Sequence, residues 1–203
     1  MSPTAQLLYV CTANLVRSPS AEVVTAVEVA RRGGALLAAS AGVHVGHPGA
    51  PMHPPARAAL SALGYDASGM RARPLATEDV AAASLVLTAT AAHRASVLEL
   101  DPAALPRTVT LLEAAAVAPV LAHQMGASAP DVRPDTRTRV AMLAELALRA
   151  RAAQPGRAVD LADPIGGPLP GYADTATTIV RAVHAILAAL LDGATPGALV
   201  PGH

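Results

Sequence analysis

Apolar runs of strand length alternate with segments of helical period along this chain, beginning with "QLLYVC" at 6–11. Comparable runs recur at 36–40 ("LLAAS"), 84–89 ("SLVLTA") and 107–112 ("RTVTLL"), and each is predicted to be a buried strand. Between and after them the apolar positions fall at helical spacing, which predicts helices over 18–33, 54–64, 91–99, 137–153 and 172–192. Ser18 is a candidate N-cap with Pro19 at the first helical position, and Gly64 and Gly193 are candidate stops. Strand and helix in alternation is the order of a βαβ architecture, so the expected fold class is α/β with a parallel sheet.

Two stretches depart from that rhythm. Residues 119–160 carry prolines at 119, 130, 134 and 155 around a helical pattern, "RTRVAMLAELALRARAAQ", and are expected to form an insertion beside the core, more a surface connection than a flap. The arginines of that helix alternate with Asp135 and Glu145, as on a solvated face. The tail at 193–203 is expected to be loosely ordered. At 203 residues the whole chain, 1–203, is expected to be a single domain.

Composition narrows the partners. With 52% hydrophobic residues but no Phe or Trp, the core must be built from Leu, Val and Ala. Fifteen basic residues, all Arg, balance 15 acidic ones, and no basic run suggests a nucleic-acid partner. The N-terminus has no basic, apolar leader pattern, and runs such as "AVHAILAALL" fall short of the roughly 18 residues that span a bilayer, so no membrane partner is expected. One cysteine allows no internal disulfide, which fits a cytoplasmic location.

That cysteine, Cys11, closes the first strand, and Arg17 follows at C-x5-R spacing where the first helix begins. Ligands of open α/β sheets bind at the carboxyl ends of strands, and a helix N-terminus there turns unpaired N–H groups toward an anion. A free thiol is only about 3% thiolate at pH 7, but a helix N-terminus and a nearby Arg both favour the thiolate. Five intervening residues can curl round a tetrahedral oxyanion, with the guanidinium fork closing the ring. On this spacing alone, Cys11 as a buried strand-end residue and Arg17 as a solvated helix start is an equal alternative.

The surrounding residues tip the balance. "VCTANLVRSPSAE" resembles the V-C-x-G-N-x-C-R-S-P-x-A-E signature of the low-molecular-weight protein tyrosine phosphatases, and the likeness continues through "SAGV" (40–43), "RARPLATED" (71–79), "SLVLTATAAHRASV" (84–97) and "LADPIGG" (161–167). It covers about residues 5–113 and 158–192. The resemblance implies a three-layer sandwich of the flavodoxin-like phosphotyrosine phosphatase I type, with a mainly four-stranded parallel sheet. It implies Cys11 as nucleophile, Arg17 and the backbone of Thr12, Ala13, Asn14, Leu15, Val16, Arg17 and Ser18 as the phosphate cradle, and Asp163 as general acid and base. Ser18 would hydrogen-bond the thiolate, while Asn14, Ser18 and Ser40 would brace the loop. It implies no cofactor and no metal. The expected partners are a phosphorylated protein or small phosphomonoester, with inorganic phosphate or another oxyanion in the loop.

Departures from the signature qualify the substrate. Ala13 replaces a loop glycine and requires negative φ there, Val16 replaces a second loop cysteine, and Met70 replaces a supporting histidine. Ile165, Gly166 and Gly167 stand where cleft aromatics follow the D-P pair, which resembles the D-P-F-G-G of the arginine phosphatase branch, whereas Leu15 resembles the tyrosine branch. Arsenate reductases of this fold need further cysteines. A weak or inactive phosphate-binding module stays open as a non-enzymatic alternative. His44, His47 and His53 form no known metal template, although His44 or His47 could touch substrate.

Overall fold

The first strand, β1 (Ala5–Cys11), sorts its side chains by the two-residue period of a strand: Leu7, Tyr9 and Cys11 join one apolar cluster, while Leu8 and Val10 join another. Both faces of the strand are therefore covered. The computed structural model describes residues 4–127, 134–154 and 160–192. Three more strands, β2 (Leu36–Gly42), β3 (Leu85–Thr88) and β4 (Thr108–Thr110), complete a parallel sheet in the order β2-β1-β3-β4. The register pairs Cys11 with Gly42, Leu7 with Leu85 and Val86 with Thr108.

Helices α1 (Arg17–Arg32) and α2 (Pro54–Ala62) follow β1 and β2; α3 (Thr77–Ala82) and α4 (Ala91–Leu100) flank β3. A 3-10 turn at Pro102–Arg107 leads into β4, and α5 (Leu111–Ala127), α6 (Thr136–Ala153) and α7 (Leu169–Leu191) follow. Val80 of α3 and Val97 of α4 cover the Leu8 and Val10 face. The opposite face is covered from α1, α2, α5, α6 and α7. The result is the three-layer α/β arrangement expected, with a four-stranded parallel sheet.

Several elements differ from expectation. The last strand stops at Thr110 because Leu111 opens α5 directly, and α5, which was not among the expected helices, runs on through Pro119. Helix α3 was not anticipated, and α7 starts three residues before its predicted position. The 119–160 stretch is no surface addition where it is described: Leu121, Met125, Val140, Leu143, Ala144 and Ala147 all lie in the main core. Nor is the α6 arginine row uniformly solvated, since Arg139 is 2% exposed. Pro130, Pro155, Gly193 and the 193–203 tail lie outside the described residues.

Helix α7 also revises the reading of the apolar runs. By length and composition alone it could cross a membrane, but Ile179, Val183, Ile186, Leu187 and Leu190 are buried in the core, where α7 packs on α1, α2 and α5. That is the setting of a core helix.

Candidate active site

The loop between β1 and α1 is built on a tight crossing. A Cβ on Gly42 would lie 2.7 Å from the Thr12 carbonyl oxygen and 2.9 Å from the Ala13 carbonyl carbon, so only glycine lets the loop pass here. Backbone bonds fix the crossing, with Val43 N–H donating to the Cys11 carbonyl at 3.0 Å and His44 N–H to the Thr12 carbonyl at 2.8 Å. Asn14 carries the chain round at φ 55° and is the only non-glycine residue with positive φ among those described. Asparagine tolerates that region better than most residues, and Ala13 meets the negative-φ condition on its methyl group.

Asn14 also ties the loop to its surroundings. Its Nδ2 donates to Ser18 Oγ at 3.0 Å and Ser40 Oγ at 2.8 Å, and its Oδ1 accepts from Arg73 N–H at 2.9 Å. The backbone of Arg73 thus supplies a partner for Asn14, while Met70 packs against the core. Ser40 Oγ donates onward to Glu22 Oε2 at 2.5 Å. Burial raises the Glu22 pKa, against the opposing pull of Ser40 and Arg73.

Ser18 was expected to cap α1, but the helix begins at Arg17 and Val16 occupies the cap position without a side-chain bond. The Ser18 hydroxyl instead lies 3.0 Å from Cys11 Sγ and 3.2 Å from the Ala41 carbonyl. Its position beside the thiol takes it away from the helix end. Cys11 itself is 2% exposed.

Arg17 is buried where three segments meet. Its Nη1 donates to the Leu161 carbonyl at 3.3 Å, and its Nη2 donates to Thr12 Oγ1 at 3.1 Å and Asp163 Oδ2 at 2.5 Å. Asp163, half-exposed, also accepts from Ile165 N–H at 3.2 Å, a local turn that fixes its carboxylate. Direct bonds thus join Cys11, Ser18, Asn14 and Ser40 in one set and Arg17, Asp163 and Thr12 in another, with Thr12 following Cys11 in the chain and Asp163 far from the others in sequence.

Sequence reasoning missed His93. Its Nε2 lies 2.9 Å from Thr12 Oγ1 and its Nδ1 2.7 Å from Thr90 Oγ1, while burial and Arg17 both lower its pKa. The available signal was Thr90 three residues ahead of His93, the spacing of a helix cap. Of the loop histidines, His53 stacks on Tyr172 with ring centroids 5.3 Å apart, and its N–H donates to the Leu15 carbonyl at 3.0 Å. Among the described residues no group of His, Cys, Asp and Glu is placed to hold a metal ion.

Residues 6–118 match the model of the low molecular weight phosphotyrosine protein phosphatase family. The chain belongs to that family. This phosphatase is similar in structure to a low molecular weight protein tyrosine phosphatase from T. tengcongensis, at 25% identity and a TM-score of 0.65, over 91% of this chain and 98% of that one. It is also similar to the YwlE arginine phosphatase from Geobacillus stearothermophilus, at 23% identity and a TM-score of 0.62, over 91% and 90% of the two chains. A third likeness is Vibrio vulnificus Wzb in complex with benzylphosphonate, at 17% identity and a TM-score of 0.62, over 90% and 97%. Those last two speak for the fold of the phosphatase. No curated protein matches its sequence.

Proposed function

We propose that this phosphatase is a cysteine-dependent phosphomonoester hydrolase that acts on protein phosphotyrosine through a phosphocysteine intermediate. The observation that carries the reading is the convergence of Cys11, Arg17 and Asp163 at the carboxyl end of β1. Cys11, as thiolate, attacks phosphorus in line, and the phosphorus–oxygen bond to the leaving group breaks. Arg17 and the N–H groups of residues 12–18 hold the three equatorial oxygens, so charge stabilisation is the main catalytic contribution. The Ser18 hydroxyl, 3.0 Å from Sγ, turns its proton from the Ala41 carbonyl to the thiolate and steadies it. Asp163 gives its proton to the leaving oxygen, then takes one from the water that cleaves the thiophosphate. The cycle returns thiolate, protonated Asp163 and inorganic phosphate, and calls for no cofactor.

A second reading, phosphoarginine or a small phosphomonoester, draws support from the loop after Asp163. Pro164, Ile165, Gly166 and Gly167 offer no aromatic ring to stack on a phenyl group, and Ile165 is exposed. Leu15 supports the tyrosine reading. The chain is taken as a single phosphatase domain, and its lone free cysteine supports a cytoplasmic setting.

The test is hydrolysis of phosphotyrosine, phosphoarginine and alkyl phosphates by reduced protein at mildly acidic pH, with Cys11→Ser as the control. A preference for phosphotyrosine that Cys11→Ser abolishes supports the leading reading. A phosphoarginine preference replaces its substrate, and no turnover on any of them leaves a binding module.

A further inference from the structure

Both ring nitrogens of His93 are held by hydroxyls from different parts of the fold. On one side Thr90 caps α4: its Oγ1 accepts the His93 backbone N–H at 3.3 Å and lies 2.7 Å from Nδ1. On the other, Thr12 Oγ1 lies 2.9 Å from Nε2 and also accepts from Arg17 Nη2 at 3.1 Å. Either neutral tautomer closes this chain, because each hydroxyl can donate or accept, and in both Thr12 remains an acceptor for Arg17. His93 is 7% exposed, so little water competes for its ring.

A second line runs from Arg17 to the same turn. Nη1 donates to the Leu161 carbonyl at 3.3 Å, and Leu161 N–H donates to the Ala89 carbonyl at 2.8 Å. Ala89 and Thr90 thus anchor both routes. Asp163 is the third partner of the guanidinium, and in the proposed cycle it must turn to the leaving oxygen. Thr12 and Leu161 are then left to hold Arg17.

We propose that His93 is a positioning residue for the oxyanion site: clasped between Thr90 and Thr12, it holds the Thr12 hydroxyl against Arg17 and so sets where the guanidinium stands when Asp163 leaves it. This rests on the phosphatase reading above. His93 touches no reacting atom in this role and acts through Thr12. Burial and Arg17 both lower its pKa, which favours the neutral ring at neutral pH.

The test measures inorganic phosphate binding by calorimetry, together with kcat and KM for an aryl phosphate. The variants are His93→Leu, His93→Gln, Thr12→Val and the His93→Leu/Thr12→Val double. Loss of a hydrogen bond that orients a charged group predicts that His93→Leu and Thr12→Val each weaken phosphate binding and kcat/KM by roughly tenfold or more. The double variant should be no worse than the weaker single, since both cut one chain. His93→Gln, whose amide can reach Thr12, should recover most of the loss, and a purely space-filling role would not give that recovery. Phosphate affinity unchanged in His93→Leu, losses that multiply in the double, or no recovery in His93→Gln would each overturn the proposal.

Should His93→Leu fail to fold, Thr12→Val and His93→Gln decide it. Thr12→Val must lose phosphate affinity while it stays folded at the assay temperature, and His93→Gln must bind phosphate nearly as the wild type does; failure of either overturns the proposal. A wild type that binds phosphate but cleaves no phosphomonoester sinks the function proposed above, while the variant affinities still decide the role of His93. A wild type that binds no phosphate overturns both.

Discussion

Arg17 Nη2 donates to Asp163 Oδ2 at 2.5 Å, across 146 positions of sequence, with the arginine 5% and the carboxylate 40% exposed. The acid proposed to protonate the leaving group is thus held on the cation proposed to bind the phosphate. An incoming oxyanion has to compete with Asp163 for the guanidinium. Asp163→Asn should therefore do two things at once. It should slow cleavage of poor leaving groups by about 10²–10⁴-fold, with good leaving groups less affected, because the general acid is gone. It should also tighten inorganic phosphate binding, because the competing charge is gone. Rates against leaving-group pKa and a phosphate titration check both, and weaker phosphate binding would show that the pair does not compete with ligand.

Arg17→Lys conserves charge and should still be severe. The guanidinium reaches Leu161, Thr12 and Asp163 from two nitrogens, and a single ammonium cannot reproduce that fork. Loss of an oxyanion donor predicts a fall in kcat of roughly 10²–10³-fold, read from steady-state hydrolysis of an aryl phosphate. A Lys variant within a few-fold of wild type would mean that Arg17 acts as a point charge.

The parts of this site legible in sequence were those within one short stretch. Cys11 and Arg17 were paired by their C-x5-R spacing, and the roles of Asn14 and Ser18 followed from the likeness of the same short stretch to the phosphatase signature. Ser18 carried two expectations, a cap from its position and a thiol partner from the resemblance, because a hydroxyl at a helix start serves either, and the structure places it beside the thiol. His93 was missed because its partner Thr12 is 81 positions away. Helix α5 was missed for a different reason: Leu111 follows the strand with no turn between them, and its alanines give little amphipathic contrast, although Thr110 and Glu113 form a capping box at its start, Glu113 N–H donating to Thr110 Oγ1 at 3.1 Å and Thr110 N–H to Glu113 Oε2 at 2.8 Å. Arg73 beside Asn14 was invisible, since a backbone donor leaves no trace in residue type.

Glu22 makes a pH prediction. Burial, the largest influence, raises its pKa above the ordinary 4.5, while Ser40 and Arg73 pull it down. The native state then holds this proton more tightly than the unfolded chain does, so the contribution of Glu22 to stability falls as pH rises from the ordinary value through the folded one. Glu22→Gln keeps an acceptor for Ser40 and removes the charge. Relative to wild type, its urea midpoint should improve across that window and level off above it. A variant that instead loses ground as pH rises would show that the Ser40 and Arg73 interactions outweigh burial.

Arg139 should matter for stability and not for chemistry. Its Nη1 donates to the carbonyls of Leu190 and Asp192, each at 3.3 Å, and its Nε donates to the Pro134 carbonyl at 2.9 Å. It lies across the C-terminal end of α7, where carbonyls lack helical partners and the helix dipole is negative. Arg139→Met keeps the stem and removes the donors, which should destabilise the fold by about 2–3 kcal/mol in urea denaturation. Turnover of the folded fraction should be unchanged, and a stability change under about 0.5 kcal/mol would mean that water replaces the guanidinium.

Oxidation should expose the consequence of Val16, which stands where the family signature has a second loop cysteine. Peroxide converts a thiolate to the sulfenic acid, and a neighbouring cysteine can trap that species as a reversible disulfide. Cys11 is the chain's only cysteine, so no internal partner exists for it. Rescue must come from an external thiol before further oxidation reaches the sulfinic and sulfonic states. With Cys11 only 2% exposed, the oxidant must enter through the oxyanion loop, and inorganic phosphate seated there should slow the loss. Peroxide treatment followed by reductant after increasing delays should show recovery that falls with delay, and Val16→Cys should restore late recovery if its sulfur reaches Cys11. Full recovery of the wild type at every delay would show that the loop protects its sulfur without a disulfide, and would count against an activated thiolate at Cys11.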